Sequence, residues 1–72
     1  METDTKTPVE LAIDEFGGVR KLARAIDRDP AAVSRWKRQG TVPTNLQRKL
    51  LEIAWERGID ITAHEMVFGR AS

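Results

Sequence analysis

Ala31, Ser34, Arg35 and Arg38 recur at i, i+3, i+4 and i+7, the spacing that places side chains on one face of a helix. The face is small near its start and cationic further on. Small residues let a helix approach another surface closely. An arginine fork bonds bidentately to paired acceptors, such as guanine O6 and N7 at the edge of a base pair, or to a phosphate. Val33 and Trp36 lie between these residues and fall on the opposite side, where they can anchor the helix in a core. The element that must hold this helix precedes it. Val19, Leu22, Ala23 and Ile26 make a second apolar stripe, and Asp27-Arg28-Asp29-Pro30 separates the two. Asp29 is suited to cap the second helix, and Pro30 to its first position, where no backbone N–H is needed. Two short helices folded against each other across a tight turn form a helix-turn-helix, whose second helix fits a DNA major groove.

The remaining chain reads as further helices around this unit. Thr7-Pro8-Val9-Glu10 combines a capping threonine, a proline and a glutamate three residues on, so a helix is predicted from there. Its apolar positions are Val9, Ala12, Ile13 and Phe16, and Gly17-Gly18 ends it. Gly40 stops the recognition helix, and Thr41-Val42-Pro43 is an extended connector. Thr44-Asn45-Leu46-Gln47 repeats the capping-box pattern and opens the longest helix, running to about Arg57 before Gly58. That helix carries one stripe of Leu46, Leu50, Ile53 and Ala54 and an adjacent one of Leu51 and Trp55. Thr62-Ala63-His64-Glu65 is a third capping box, opening a short helix through Met66, Val67 and Phe68 to Gly69. Ile59, Ile61, Met66 and Phe68 are expected to fold back over Leu51 and Trp55. The prediction is an all-α bundle of four or five helices: a single domain over residues 7–69, with frayed tails at 1–6 and 70–72.

Seventy-two residues with no cysteine exclude a disulfide framework and a thiolate zinc site, and leave little room for a deep catalytic pocket. No run of apolar residues approaches a membrane span, and the start of the chain lacks a secretory pattern, so a cytoplasmic protein is expected. Ser34 has no base at helical reach, Asp27 and Asp29 belong to a turn and a cap, and there is no glycine-rich phosphate loop. The residues therefore point away from an enzyme, and no cofactor is expected. His64, without a second imidazole or a thiolate, reads as a surface residue rather than a metal ligand. The net charge is only +1, but it is segregated. Residues 1–17 hold five acids and one base, residues 18–40 seven bases and two acids, and residues 41–72 four of each. The positive charge lies on the helix-turn-helix, a distribution that lets a patch bind phosphate without making the whole domain adhesive.

The stretch from Phe16 to Pro43, FGGVRKLARAIDRDPAAVSRWKRQGTVP, resembles the Cro- and repressor-type (lambda repressor-like) helix-turn-helix proteins of phages and bacteria, especially the short Cro-like ones. The resemblance implies a compact helical bundle whose third helix enters the major groove, as a homodimer on a twofold operator, in a bacterial or prophage regulator. By position it implies that Ala23 sits where the two helices cross, that Val33 and Trp36 anchor the recognition helix, and that Ala31, Ser34, Arg35 and Arg38 face DNA. Asp27 occupies a turn position where the family often has glycine, and aspartate tolerates a positive φ better than most residues.

Arg35 is the candidate for base readout and Arg38 for base or phosphate contact, against the alternative of a solvated basic face. Arg20 and Lys21 near the start of the preceding helix, with Arg28 and Lys37, are candidates for phosphates, and Gln39 and Thr41 for neutral phosphate contacts. Arg24 is a weaker candidate of the same kind. Early base contacts would come from Ala31 against a thymine methyl, from Ser34, or from backbone groups. Trp36 reads as core rather than as a base-stacking platform. Leu51, Trp55 and Phe68 form a possible dimer or partner surface, with Trp55 expected beneath the C-terminal segment. The predicted function is thus a sequence-specific double-stranded DNA-binding regulator, a repressor in the simplest case. The alternative is an interaction module or antitoxin that binds a toxin or a polymerase subunit through the helix from 44 to 57 and the C-terminal segment.

Overall fold

A computed structural model describes residues 5–71. Helix α1 is Pro8–Phe16, α2 Val19–Ala25, α3 Pro30–Gln39, α4 Thr44–Glu56 and α5 Ala63–Phe68; strands β1 (Thr5–Lys6) and β2 (Arg70–Ala71) flank them. The architecture is the predicted all-α helix-turn-helix bundle. Its departure is the ladder: Thr5 pairs with Ala71 and Lys6 with Arg70, antiparallel, where loose ends were expected. Residues 1–4 and 72 of the predicted tails lie outside the described residues.

The first helix begins as its sequence dictates. Thr7 accepts a hydrogen bond from the Glu10 N–H at 3.2 Å, and Glu10 Oε1 accepts from the Thr7 N–H at 3.1 Å, which satisfies two otherwise orphaned donors. Gly17, at φ 94°, ends α1 by donating to Ile13 O. Leu11 was not in the predicted stripe, yet it is buried with Val9, Ala12 and Phe16, while Ile13 is only half-buried. The reason is that α1 packs on α2 and α3 on one side and on α5 on the other, so its buried face is wider than one stripe. Arg57 closes the outer edge by lying over the Phe16 ring, 5.6 Å from its centre, and Lys6 pairs with Asp14.

The predicted capping box at Thr44 does not form. Pro43 is the N-cap of α4, its carbonyl accepting from Leu46 and Gln47 N–H, and the helix has no side-chain cap. With its fixed φ and extended ψ, Pro43 already occupies the geometry a cap requires. Thr44 is therefore inside the helix, and the Gln47 amide turns back to Val42 O at 3.0 Å. At the other end the box does form: Thr62 accepts from Glu65 N–H at 3.1 Å and Glu65 from Thr62 N–H at 3.0 Å.

The C-terminal segment covers the core only in part. Ile61 and Met66 are buried as expected and Ile59 partly so, but Trp55 is 56% exposed and Phe68 68% exposed. Trp55 is tethered rather than covered, its indole N–H donating to Ile61 O at 2.8 Å. Phe68 cannot follow Met66 inward, because two residues along a helix turn a side chain through about 200°. It packs instead on His64, ring centres 4.8 Å apart.

Gly69 joins α5 to β2 at φ 82°, ψ −173°, a region open essentially to glycine alone. A Cβ there would lie 2.1 Å from Lys6 O. Gly69→Ala is expected to detach the ladder and cost about 1–3 kcal/mol. The check is a lowered thermal midpoint together with loss of extended-strand NMR shifts at Lys6, with α2 and α3 unchanged.

Candidate nucleic-acid interface

The recognition helix is held from behind by its own core residues. Val33 is fully buried and Trp36 nearly so, in one cluster with Leu22, Ala23 and Ile26 of the preceding helix and turn. Ala23, with its single methyl, is 1% exposed on α2, the helix that packs against α3. The turn between them is made by Asp27, the one non-glycine residue at positive φ among those described, at 58°. The Arg28 N–H reaches back to Ala23 O at 2.8 Å and closes the end of α2. Asp29 then caps α3, accepting from the Ala31 N–H at 2.9 Å.

These supports leave Ala31, Arg35 and Arg38 exposed and Ser34 half-buried in one line along α3, opposite Val33 and Trp36. Lys37 and Gln39, also exposed, flank the line on its two sides, each about a quarter-turn away. Thr41 is exposed just past the helix end, where Gly40 at φ 80° breaks the turn. The first turn of α3 has no free amide to offer. Pro30 lacks an N–H, Ala31 donates to the Asp29 side chain, and Ala32 and Val33 donate to Asp29 O. The expectation of early contacts from backbone groups is thereby corrected, since a helix start whose donors are consumed internally cannot hold an anion. Ala31 and Ser34 are the remaining early candidates.

On α2 and the turn that follows it, Arg20, Arg24 and Arg28 lie beside one groove. These three and the Ala23 and Pro30 surfaces line an open groove of about 380 Å³. Arg24 lies one helical turn from Arg20 on α2, whereas Arg28 lies past the end of that helix. Lys21, by contrast, is exposed but leans along α2 over Gly17: its Cδ lies 3.2 Å from where a Cβ at that glycine would be. Leu51 is buried, whereas Trp55 and Phe68 are exposed on the α4–α5 side, so the predicted partner surface consists of two projecting rings beside a groove rather than three exposed residues. That groove, about 400 Å³, is walled by Gln47, Arg48, Leu51, Trp55, Met66 and Val67 among others.

The family model for the DNA-binding transcriptional regulator Cro matches residues 9–54, from α1 through nearly all of α4. The chain belongs to the Cro family. Comparison with curated proteins and with solved structures gave no match. As a Cro-family member it is a DNA-binding transcriptional regulator, and that domain class is not one of enzymes. The Cro match takes in the whole helix-turn-helix with its two supporting helices and stops before α5 and the ladder. No helix among the described residues of this Cro-family chain is long and apolar enough to cross a membrane.

Proposed function

We propose that the protein is a repressor that acts in the cytoplasm and reads the major groove of duplex DNA with α3. The observation that carries this reading is the outward line of Ala31, Ser34, Arg35 and Arg38 on a helix anchored by Val33 and Trp36. In it, Arg35 bonds guanine, Ala31 and Ser34 permit close approach, and Arg38, Lys37, Gln39 and Thr41 hold phosphates beside Arg20, Lys21 and Arg28. One helix reads about four to five base pairs, too few to single out a target in a genome. The protein therefore acts as a homodimer on two half-sites about one helical turn apart. Trp55 and Phe68, more than half exposed, supply apolar surface for the contact between copies.

The experiment is binding to an operator selected from random duplexes, compared with its isolated half-site. The full operator is expected to take two copies cooperatively and the half-site one copy weakly. Phe68→Asp, which alters a residue touching only the edge of the fold, should abolish the cooperativity and leave half-site affinity unchanged. Equal, independent binding to both duplexes by the native protein would refute the dimer. The second reading, an interaction module that binds a toxin or polymerase subunit, rests on the same two rings and the adjacent groove. It predicts that Phe68→Asp abolishes regulation in cells with DNA binding intact.

A further inference from the structure

We infer that Lys49 and Gln47 of α4 are positioning residues for the recognition helix, holding the backbone just outside its two joints. For its effect on DNA readout this arrangement rests on the major-groove reading above. α3 joins its neighbours through Asp27 at φ 58° and Gly40 at φ 80°, left-handed bends on either side of Pro30–Gln39. Before the first bend, Lys49 Nζ donates to Ile26 O at 3.4 Å. After the second, Gln47 Nε2 donates to Val42 O at 3.0 Å. Both donors come from one turn of α4, and both acceptors belong to residues seated in the core, Ile26 fully buried and Val42 nearly so.

The helical repeat explains how one turn reaches both joints. Leu46 and Leu50 are buried and mark the face that α4 turns to the core. At about 100° per residue, Gln47 lies about 80° to one side of the line midway between them, and Lys49 about 80° to the other. The pair therefore straddles the buried stripe, one side chain reaching the connector after α3 and the other the turn before it. A lysine suits the turn. Ile26 is the C-cap of α2, where unmatched carbonyls carry partial negative charge, and a four-carbon stem carries the ammonium across from α4. The next carbonyl, Asp27 O, accepts from Arg28 at 3.1 Å, so cations hold two successive carbonyls there. The carboxylate three residues along α4 does not draw Lys49 away, because Glu52 pairs with Arg48 at 3.4 Å. α3 packs on α2 and α1, and the two bonds from α4 restrain it from a third side. Bidentate bonding of Arg35 to a base edge needs a helix held in one orientation, whereas contact with phosphate tolerates one that rocks.

Lys49→Met keeps the stem and the helix propensity and removes the donor. Its effect is read in the carbonyl-carbon NMR shifts of Ile26 and Val42, in the residual dipolar couplings of α3 against those of α4, and in affinity for a selected operator and a non-operator duplex across a salt series. The Ile26 signal should move, the α3 couplings should change relative to α4, and operator affinity should fall about fivefold. Non-operator affinity and both salt slopes should stay as they are, and Lys49→Arg should restore the operator preference. Gln47→Met should produce the same loss from the other joint, with the Val42 signal moving instead. A lowered thermal midpoint with an unchanged ratio of the two affinities would make Lys49 merely structural and refute the positioning role. Equal losses on both duplexes, with the log–log salt slope reduced by about 0.9, would make it a phosphate contact and refute the role as well. If the native protein does not distinguish the duplexes, the major-groove reading fails, and an Ile26 signal or α3 couplings that Lys49→Met leaves unmoved would refute the hold itself.

Discussion

Trp36→Ala is expected to leave most of the protein unfolded. Truncating a buried tryptophan costs about 3–5 kcal/mol, and a core of this size provides about that much net stability. Trp36 is 5% exposed and belongs to the same cluster as Leu22, Ala23 and Ile26. Its removal would open a cavity where α3 meets α2, and no neighbouring element is free to collapse into it. Denaturant unfolding followed by circular dichroism is the check, with Trp36→Phe as the milder control. A fully folded alanine variant that had lost only affinity for single-stranded DNA would contradict this, because it would make the ring a stacking platform rather than an anchor.

Arg35→Ala is expected to erase sequence discrimination at one base pair while leaving the fold intact. The side chain is exposed, so its removal uncovers nothing. A bidentate arginine–guanine pair contributes about 1–3 kcal/mol of discrimination, so operator affinity should fall by that amount while affinity for a scrambled duplex falls far less. Arg38→Ala provides the contrast. If Arg38 holds phosphate, both duplexes lose affinity together and the salt slope drops. Competition binding of operator and scrambled duplex at two salt concentrations decides it. Equal losses for Arg35→Ala on both duplexes would reduce Arg35 to a phosphate contact.

The parts of the fold that were legible from residues alone are those decided within a few positions. Thr7, Asp29 and Thr62 cap their helices because a short oxygen-bearing side chain reaches an amide two or three residues on. Thr44 was misread by the same logic, since the adjacent Pro43 held the capping geometry first. What the residues could not reveal depends on neighbours distant in sequence. Leu11 is buried on a helix that α2, α3 and α5 all pack against, and no local period announces that. Phe68 is exposed because Met66 occupies the inward direction of a six-residue helix. The outward line on α3 was readable from Val33 and Trp36. The grouping of Arg24 with Arg20 and Arg28 was not, because it depends on the path the chain takes through Asp27.

The β1–β2 ladder has a consequence for the order in which the molecule assembles. Contacts between α2 and α3 join near neighbours and form early, since little chain must be ordered to make them. Thr5–Lys6 and Arg70–Ala71 meet only after everything between them is in place, and closing so long a loop for two residue pairs yields little. The ladder should therefore close last and open first. Amide hydrogen exchange should be fast there and slow in α2 and α3, so that the helix-turn-helix persists through openings in which the two ends of the chain have come apart.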